Sequence, residues 1–236
     1  IIATDENGNP STAVRNSTKT GKVNISTSTE VTGNIMNPVA LVFYEGANQF
    51  YSSFTLASAI KTAIETNAKE VCLITDITTT EPITVNGNVT INLNGFDIIG
   101  TDNTSKNFGL IDIQAGSKVN IVNNSSEISK LTLTATENRG WNSYSSVISN
   151  QRSELTVGEN VLVEHLGGTD MAYGIDNLTN TGAAHAKATI EGATIKSSYR
   201  AIRQFLNSTA AGVNNILHVK SGIVEGANKS IWVQNA

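Results

Sequence analysis

Short runs of alternating apolar and polar residues recur through residues 146–233 of the chain. An Ile stands at the centre of each run, at positions 148, 175, 202 and 231, so the runs follow one another in steps of 27, 27 and 29 residues. Alternation with a period of two predicts a β-strand with one buried face. A repeat of this length, with no helical spacing inside it, predicts a solenoid in which each repeat forms one coil.

A second set of alternating runs lies between the Ile-centred runs, at residues 155–158, 188–191 and 217–220. Each repeat therefore holds two or three short strands separated by polar turns. One coil cannot bury its own apolar side chains, so the coils must stack, and each strand must pair in parallel with its equivalent in the next coil. The sequence predicts an all-β fold, a right-handed parallel β-helix.

Amide side chains follow the repeating Ile by two positions, as Asn150, Asn177 and Gln204. In stacked coils these three residues would lie above one another at a turn. Stacked amides can hydrogen-bond as an inward-facing ladder, which would explain polar residues at a corner of an apolar core. The alternative is that Asn merely suits turns, and it accounts equally well for the two Asn residues.

The first part of the chain, residues 1–50, differs from the repeat. It is rich in Thr, Ser and Asn, and only Val23, Ile25 and Val31 introduce short alternation. We interpret it as a linker with one or two weak strands, followed by a clear strand at 39–44.

A capping helix is predicted within residues 51–70. Ser53 is available as the N-cap of a helix that extends to Asn67. A short amphipathic helix before a run of strands would cover the open apolar end of the first coil. The apolar residues with helical spacing are Leu56, Ile60, Ala63 and Ile64.

The β-helix is predicted to span residues 71–236. The last repeat ends on an alternating run without a polar cap, and an exposed final coil would be an adhesive edge. We therefore expect the solenoid to continue in a longer protein or to be closed by another chain, for example in a homotrimeric fibre. The chain opens on Ile1 with no initiator Met, so we also expect it to be a mature or excised segment.

Composition and charge narrow the classes of partner. Apolar residues make up 39% of the 236 residues and aromatic residues only 6%, which suits thin coils. The formal net charge of -4 argues against a nucleic-acid partner, because phosphate contacts require a basic surface. No apolar run reaches the length that crosses a bilayer, so membrane insertion is not expected.

Cys72 is the only cysteine, which excludes an intramolecular disulfide and indicates a buried thiol.

The order of elements after the predicted helix resembles a known group of proteins. The strand-like segments "VCLITDI" at 71–77, "EPITV" at 81–85 and "NVTINLNGFDI" at 88–98 follow one another in this order. Together with the helix they resemble the opening of pectate-lyase-like β-helix modules of bacterial surface and secreted proteins and of phage tailspikes. The resemblance covers residues 51–236 and implies a location outside the cell, at a cell surface or on a virion. Such modules include polysaccharide lyases and hydrolases, adhesins, and phage tail fibres.

No motif of a polysaccharide-cleaving β-helix is present in the sequence. The Asn-Thr-Asp, Asp-Asp and Gly-His-Gly motifs of polygalacturonases do not occur. His165, His185 and His218 are interpreted as surface or edge residues. The closest approach to a functional cluster surrounds the repeating Ile residues, where stacking would place aromatic, Arg and Asp side chains on one flank. Its members are Trp141, Tyr144, Asp170, Tyr173, Tyr199, Arg200 and Arg203.

Three functions remain open for this flank. The first is a non-catalytic adhesion module that binds a polysaccharide or cell-surface glycan, with rings covering sugar faces and Arg contacting hydroxyls or uronates. The second is a polysaccharide lyase or glycoside hydrolase, with Arg200 or Arg203 as base and Asp170 and Asp176 as acid or calcium ligands. The third is a purely structural fibre segment. Packed loops and surface ion pairs would explain the same residues without any ligand.

No cofactor is expected, with calcium as the single exception considered. Asp5, Asn7 and Asn9 offer oxygen ligands at alternate positions, but the downstream Glu of an EF-hand loop is missing. A solvated turn is the favoured interpretation of this segment. Calcium would otherwise serve only in the lyase alternative.

Overall fold

The computed structural model describes residues 12–15, 34–36, 38–44, 50–68, 70–104, 106–137, 143–168, 170–180, 182, 184–208 and 210–235. Several residues named above lie outside the described residues, so the predictions that rest on them stay predictions. These are Asp5, Asn7, Asn9, Val23, Ile25, Val31 and Trp141.

The elements before the repeat are short strands and one helix. A parallel pair stands apart as a sheet of its own, formed by β1 (Thr12–Arg15) and β2 (Asn34–Met36). A hairpin follows, formed by β3 (Ala40–Phe43) and β4 (Phe50–Ser53). The helix is α1 (Leu56–Thr66).

The repeat forms a β-solenoid of about five turns, as predicted. Its strands are β5 (Glu70–Leu73), β6 (Ile77–Thr79), β7 (Ile83–Val85), β8 (Val89–Asn92), β9 (Ile98–Asp102), β10 (Phe108–Ile113), β11 (Lys118–Val122), β12 (Ser129–Ala135), β13 (Ser145–Gln151), β14 (Glu154–Val157), β15 (Val161–Leu166), β16 (Ala172–Thr179), β17 (Lys187–Ser197), β18 (Arg200–Leu206), β19 (Ile216–Gly226) and β20 (Lys229–Asn235).

Each turn contributes strands to three faces, and every pairing between coils is parallel. The first face runs β5, β8, β11, β14, the first half of β17, and β19. The second face runs β6, β9, β12, β15, the second half of β17, and β19. The third face runs β7, β10, β13, β16, β18 and β20.

The Ile column of the third face is longer than the sequence repeat indicates. Ile83 and Ile111 pair in register below Ile148, so the column begins two coils before the first Ile of the repeat. The step from Ile111 to Ile148 is longer than the others because a long connection joins β12 to β13. That insertion hides the earlier coils from a search for a fixed period.

The predicted amide ladder is confirmed. Asn150 donates from Nδ2 to Oδ1 of Asn177 at 2.6 Å, and Asn177 donates from Nδ2 to Oε1 of Gln204 at 2.9 Å. Asn150 and Asn177 have no exposed surface. The same amides also bond to main-chain carbonyls across the corner, from Asn150 to Lys187 at 3.0 Å and from Asn177 to Ala186 at 3.2 Å. The ladder therefore fixes the corner at which the third face turns into the first.

The start of the solenoid is covered on its apolar side. β3 pairs antiparallel with β5 and extends the first face. The helix α1 packs against β3, β5, β7 and β8, as predicted for a cap. Its buried residues belong to the core and are Leu56, Ala59, Ile60 and Ala63.

The beginning of the helix differs from the prediction. Thr55, not Ser53, is the N-cap, and its hydroxyl accepts from the backbone amide of Ser58 at 3.1 Å. Ser53 ends β4, and its hydroxyl donates to the carbonyl of Thr55 at 2.9 Å. A local pattern cannot separate two neighbouring hydroxyl residues as N-caps, because the preceding strand decides where the chain can turn.

The last coil exposes apolar side chains that are buried in the coils below it. Val219 and Ile231 are 44% and 45% exposed, whereas Ile190 and Ile202, their partners one coil earlier, have no exposed surface. Cys72 is buried in β5, as predicted.

Asn177→Ala is expected to lower the free energy of unfolding by about 2–4 kcal/mol, because the buried carboxamides of Asn150 and Gln204 lose the partner between them. Asn86→Ala, at an exposed turn position, is the matched control and is expected to change stability by less than about 0.5 kcal/mol. Urea unfolding of both variants measures the difference. Equal losses would show that the ladder contributes no stability of its own.

Candidate functional site

The outward side of the third face carries rings and charges rather than a solvated polar surface. Side chains one place after each repeating Ile point away from the core, because successive side chains alternate between the two faces of a strand. We call this surface the aromatic face. It consists of the rings of Tyr144, Tyr173, Tyr199, Phe205 and Trp232 and the charged groups of Asp112, Asp176, Arg200 and Arg203.

A buried ion pair forms the centre of the aromatic face. Arg203 donates from Nε to Oδ1 of Asp176 at 2.8 Å and from Nη2 to Oδ2 at 2.6 Å. The two side chains are 6% and 0% exposed. This bidentate geometry is the strongest form of an Arg–carboxylate pair. Both carboxylate oxygens of Asp176 are therefore already engaged.

Arg203 is also surrounded by rings. Its guanidinium carbon lies 4.5 Å from the ring centroid of Tyr173, 4.8 Å from that of Phe205 and 5.7 Å from that of Tyr144. Burial alone lowers the pKa of the Arg203 guanidinium, but the charge and hydrogen bonds of Asp176 outweigh it, and the pKa is raised above its ordinary value. Arg203 is thus held as a cation.

Arg200 lies between two rings at the side of this ion pair. Its guanidinium carbon is 3.7 Å from the ring centroid of Trp232 and 4.3 Å from that of Tyr199. Its Nη2 donates to the Tyr199 hydroxyl at 3.1 Å. The rings of Trp232 and Tyr173 are nearly parallel, with centroids 6.5 Å apart. These contacts fix the guanidinium and the rings as one layer.

The two tyrosines near the ion pair keep their protons at neutral pH. Burial, with smaller contributions from Asp176, raises the pKa of Tyr144 to about 12. Burial also raises the pKa of Tyr173 to about 12, against the opposing effect of Arg203. Tyr144 is half-buried, and its hydroxyl lies 3.3 Å from that of Ser149. Tyr173 has no exposed surface, so its ring supports the aromatic face from below rather than facing solvent.

Asp112 is a second carboxylate of the aromatic face. It accepts from Nε2 of Gln114 at 2.7 Å and from Nε2 of Gln151 at 2.9 Å. Burial raises the pKa of the Asp112 carboxyl above its ordinary value, although the hydrogen bonds from Gln151, Ser149 and Gln114 oppose the shift. Two coils separate it from Asp176 through the register Asp112, Ser149, Asp176.

Most of the side chains that the sequence places on the flank do lie together. The contacts described above bring together Tyr144, Tyr173, Asp176, Arg200 and Arg203. Tyr199 joins them through Arg200. Asp170 is exposed and precedes β16. Trp141 lies outside the described residues.

Sequence reasoning missed three members of the aromatic face, Asp112, Phe205 and Trp232. Asp112 follows Ile111 by one place, as Asp176 follows Ile175, so the repeat contained its signal once Ile111 is included in the column. Trp232 likewise follows Ile231 and pairs with Arg203. Phe205 lies one place beyond Gln204, where the strand turns its side chain outward.

His165 is buried, and its assignment as a surface or edge residue is wrong. Its Nε2 lies 3.0 Å from the hydroxyl of Ser145, which donates to Oδ2 of Asp102 at 2.8 Å. All three side chains are at most 1% exposed. The residue points inward from β15 because it occupies the same side as Val161 and Val163. Since Ser145 stands between the imidazole and the carboxylate, this is not the order of a hydrolase triad, in which His lies in the middle.

His185 and His218 are exposed, as predicted. Among the described residues, no three His, Cys, Asp or Glu side chains come close enough to hold a metal ion. Within the same residues no helix has the length and apolarity needed to cross a membrane.

No protein-family model, curated protein or solved structure matches the chain. The parallel β-solenoid therefore stands on the geometry of the chain itself. The resemblance to pectate-lyase-like modules stays a resemblance.

Arg203→Ala is expected to lower the free energy of unfolding by about 3–5 kcal/mol, because it leaves the buried Asp176 carboxylate without its partner. The double change Arg203→Met with Asp176→Leu removes both charges and is expected to cost less than the single change. Lys220→Ala, at the exposed Lys220–Glu191 pair, is a control with an expected cost below about 1 kcal/mol. Denaturant unfolding of the three variants measures these losses, and a double variant as unstable as Arg203→Ala would contradict the argument.

Asp112→Asn is expected to stabilise the fold relative to the parent as pH rises. The folded-state pKa of Asp112 is raised, so the folded state holds this proton more tightly than the unfolded chain and loses stability as pH rises through the folded pKa. Asn carries no charge at any pH and avoids this loss. The difference in thermal midpoint between the variant and the parent should therefore grow from pH 3 to pH 7. A constant difference over this range would contradict the raised pKa.

Proposed function

We propose that the chain is a non-catalytic β-helix module that binds a glycan through the aromatic face, at a cell surface or on a virion. The observation that carries the proposal is the layer of half-buried rings formed by Tyr144, Tyr199, Phe205 and Trp232. Partly exposed rings can cover the C–H faces of sugars, and the fixed guanidinium of Arg200 can donate to sugar hydroxyls or carboxylates. The resemblance to pectate-lyase-like modules supports the same class of ligand.

The layer has the rigidity that binding needs. The rings are held by Arg200 and Arg203, and Arg203 is itself held by both oxygens of Asp176. A ligand would therefore meet side chains that have already lost their rotamer freedom on folding. Preorganisation of this kind lowers the entropic cost of binding.

The enzyme alternative is less well supported by the same contacts. A lyase base must be deprotonated, but the pKa of Arg203 is raised by Asp176. Asp176 has no exposed surface, and both its oxygens accept from Arg203, so it offers no oxygen to a substrate or to calcium. Asp170 is exposed. A role for it would require a partner other than Asp176.

Tyr199→Ala and Trp232→Ala are expected to reduce retention of the chain on its glycan by tenfold or more, because each loses ring contact with the sugar and releases Arg200. The measurement is retention on a panel of immobilised neutral and acidic polysaccharides, followed by mass analysis of the soluble carbohydrate. Phe96→Ala, a half-buried ring outside the aromatic face, is the control. Circular dichroism checks that all three variants keep the fold.

Unchanged retention of both variants would remove the aromatic face from consideration. Shortened or unsaturated oligosaccharides in the soluble fraction would favour the enzyme. Failure of the parent chain to bind any member of the panel would favour the structural fibre segment.

A further inference from the structure

A second concave surface lies at the corner where the third face turns into the first. It is a groove of about 630 Å³, open to solvent, outside the amide ladder. Its charged and titratable lining consists of Lys118, Arg152, Glu154, His185 and Lys187. We call it the basic groove.

Strand register builds the charge of this groove. Lys118, Glu154 and Lys187 begin successive strands of the first face and pair in register, so their Cα atoms are separated by about 4.8 Å per coil. With Arg152 the lining has three positive charges against one negative. The whole chain has a formal net charge of -4, so the excess of positive charge is local. Two further grooves of the described residues each carry an excess of one negative charge.

The two lysines of the groove are not neutralised by ion pairs. Lys196 and Lys220 pair with acidic residues of the neighbouring coil at 3.0 and 2.5 Å. Within the part of the chain that the structure describes, no such pair forms at Lys118 or Lys187. Their ammonium groups are therefore available to an anion from solution.

Arg152 occupies a backbone position that favours glycine. Its φ is +48°, in the left-handed region, and Gly116 stands at the equivalent position of the preceding coil with a φ of +82°. A backbone hydrogen bond at 3.1 Å joins the two turns, from the amide of Gly116 to the carbonyl of Arg152. This conformation has an energetic cost for a residue other than glycine, and the arginine here faces the groove.

One wall of the groove is fixed before any ligand arrives. His185 Nδ1 lies 2.8 Å from the carbonyl oxygen of Asn214. The following residue, Asn215, accepts from the Thr179 hydroxyl at 2.8 Å and donates from Nδ2 to the carbonyl of Asn177 at 3.0 Å. The loop between β16 and β17 and the loop between β18 and β19 are thus bonded to each other and to the ladder corner.

We propose that the basic groove binds the carboxylate or sulfate groups of an acidic polysaccharide. The planar guanidinium of Arg152 can donate two parallel hydrogen bonds to a carboxylate or sulfate, and the two lysine ammonium groups can pair with the same anions. Glu154, between the two lysines, can accept from sugar hydroxyls, which a polysaccharide carries along its length and the interior of a single-stranded DNA does not, and this favours a glycan over DNA. The site is independent of the aromatic face, because no ring of that face lines it.

The test measures binding of the chain to oligogalacturonate, dextran sulfate and single-stranded DNA by calorimetry at two salt concentrations. The parent is expected to bind one or both polysaccharides, more weakly at high salt, and to bind them more tightly than DNA. Arg152→Gly and the double change Lys118→Gln with Lys187→Gln are each expected to weaken binding by roughly threefold to tenfold. Arg152→Gly should still fold, because Gly116 adopts the same conformation in the neighbouring turn.

Two controls separate this site from the aromatic face. Lys130→Gln removes one positive charge, as Arg152→Gly does, at an exposed position of the second face and is expected to leave binding unchanged. Retention on neutral polysaccharides is expected to stay unchanged in the groove variants, because a neutral sugar offers no anion to Arg152, Lys118 or Lys187. The proposal is overturned if the parent binds neither polysaccharide, if it prefers DNA, or if Lys130→Gln weakens binding as much as the groove variants do.

Discussion

Parallel pairing in register between successive coils is the constraint on which the rest of the structure depends. It places each residue directly above its equivalent, at about 4.8 Å, so a single type of side chain becomes a column. Ile forms such a column inside the third face, from Ile83 to Ile231. Asn150, Asn177 and Gln204 form another, in which each amide satisfies the next. A column of apolar residues stabilises the fold by burial. A column of amides stabilises it only when every member is in register, because each hydrogen bond needs its partner in the next coil.

The same rule acts on the outer surface, where it brings charges and rings together. Asp176 and Arg203 follow equivalent Ile residues in neighbouring coils, so register alone makes them partners. Their burial is costly, because each charge leaves water, and it is offset by the bidentate geometry and the surrounding rings. The result is an outward side that is packed like a small core. Such a surface can present rings in fixed positions, which a solvated polar sheet could not do.

The aromatic face and the basic groove lie on adjoining sides of one corner. Gln151 donates to Asp112 on the aromatic face, and the next residue, Arg152, lines the groove. Asn150, just before them, is held in the ladder. Three neighbouring residues therefore connect both surfaces to the buried amides. A long polysaccharide crossing this corner could contact both, with rings on one side and cations on the other.

The sequence by itself determined the coil. The spacing of Ile148, Ile175 and Ile202 and the amides two places later were enough to predict parallel stacking and the ladder, because both depend only on which residues recur. The tertiary structure decided the features that do not follow from a fixed repeat length. Insertions hid the coils of Ile83 and Ile111, and with them Asp112. The burial of Tyr173 and His165 depends on what packs over each position, so it does not follow from the local sequence pattern. The basic groove does not follow from that pattern either, because it is formed by strands 30 or more residues apart.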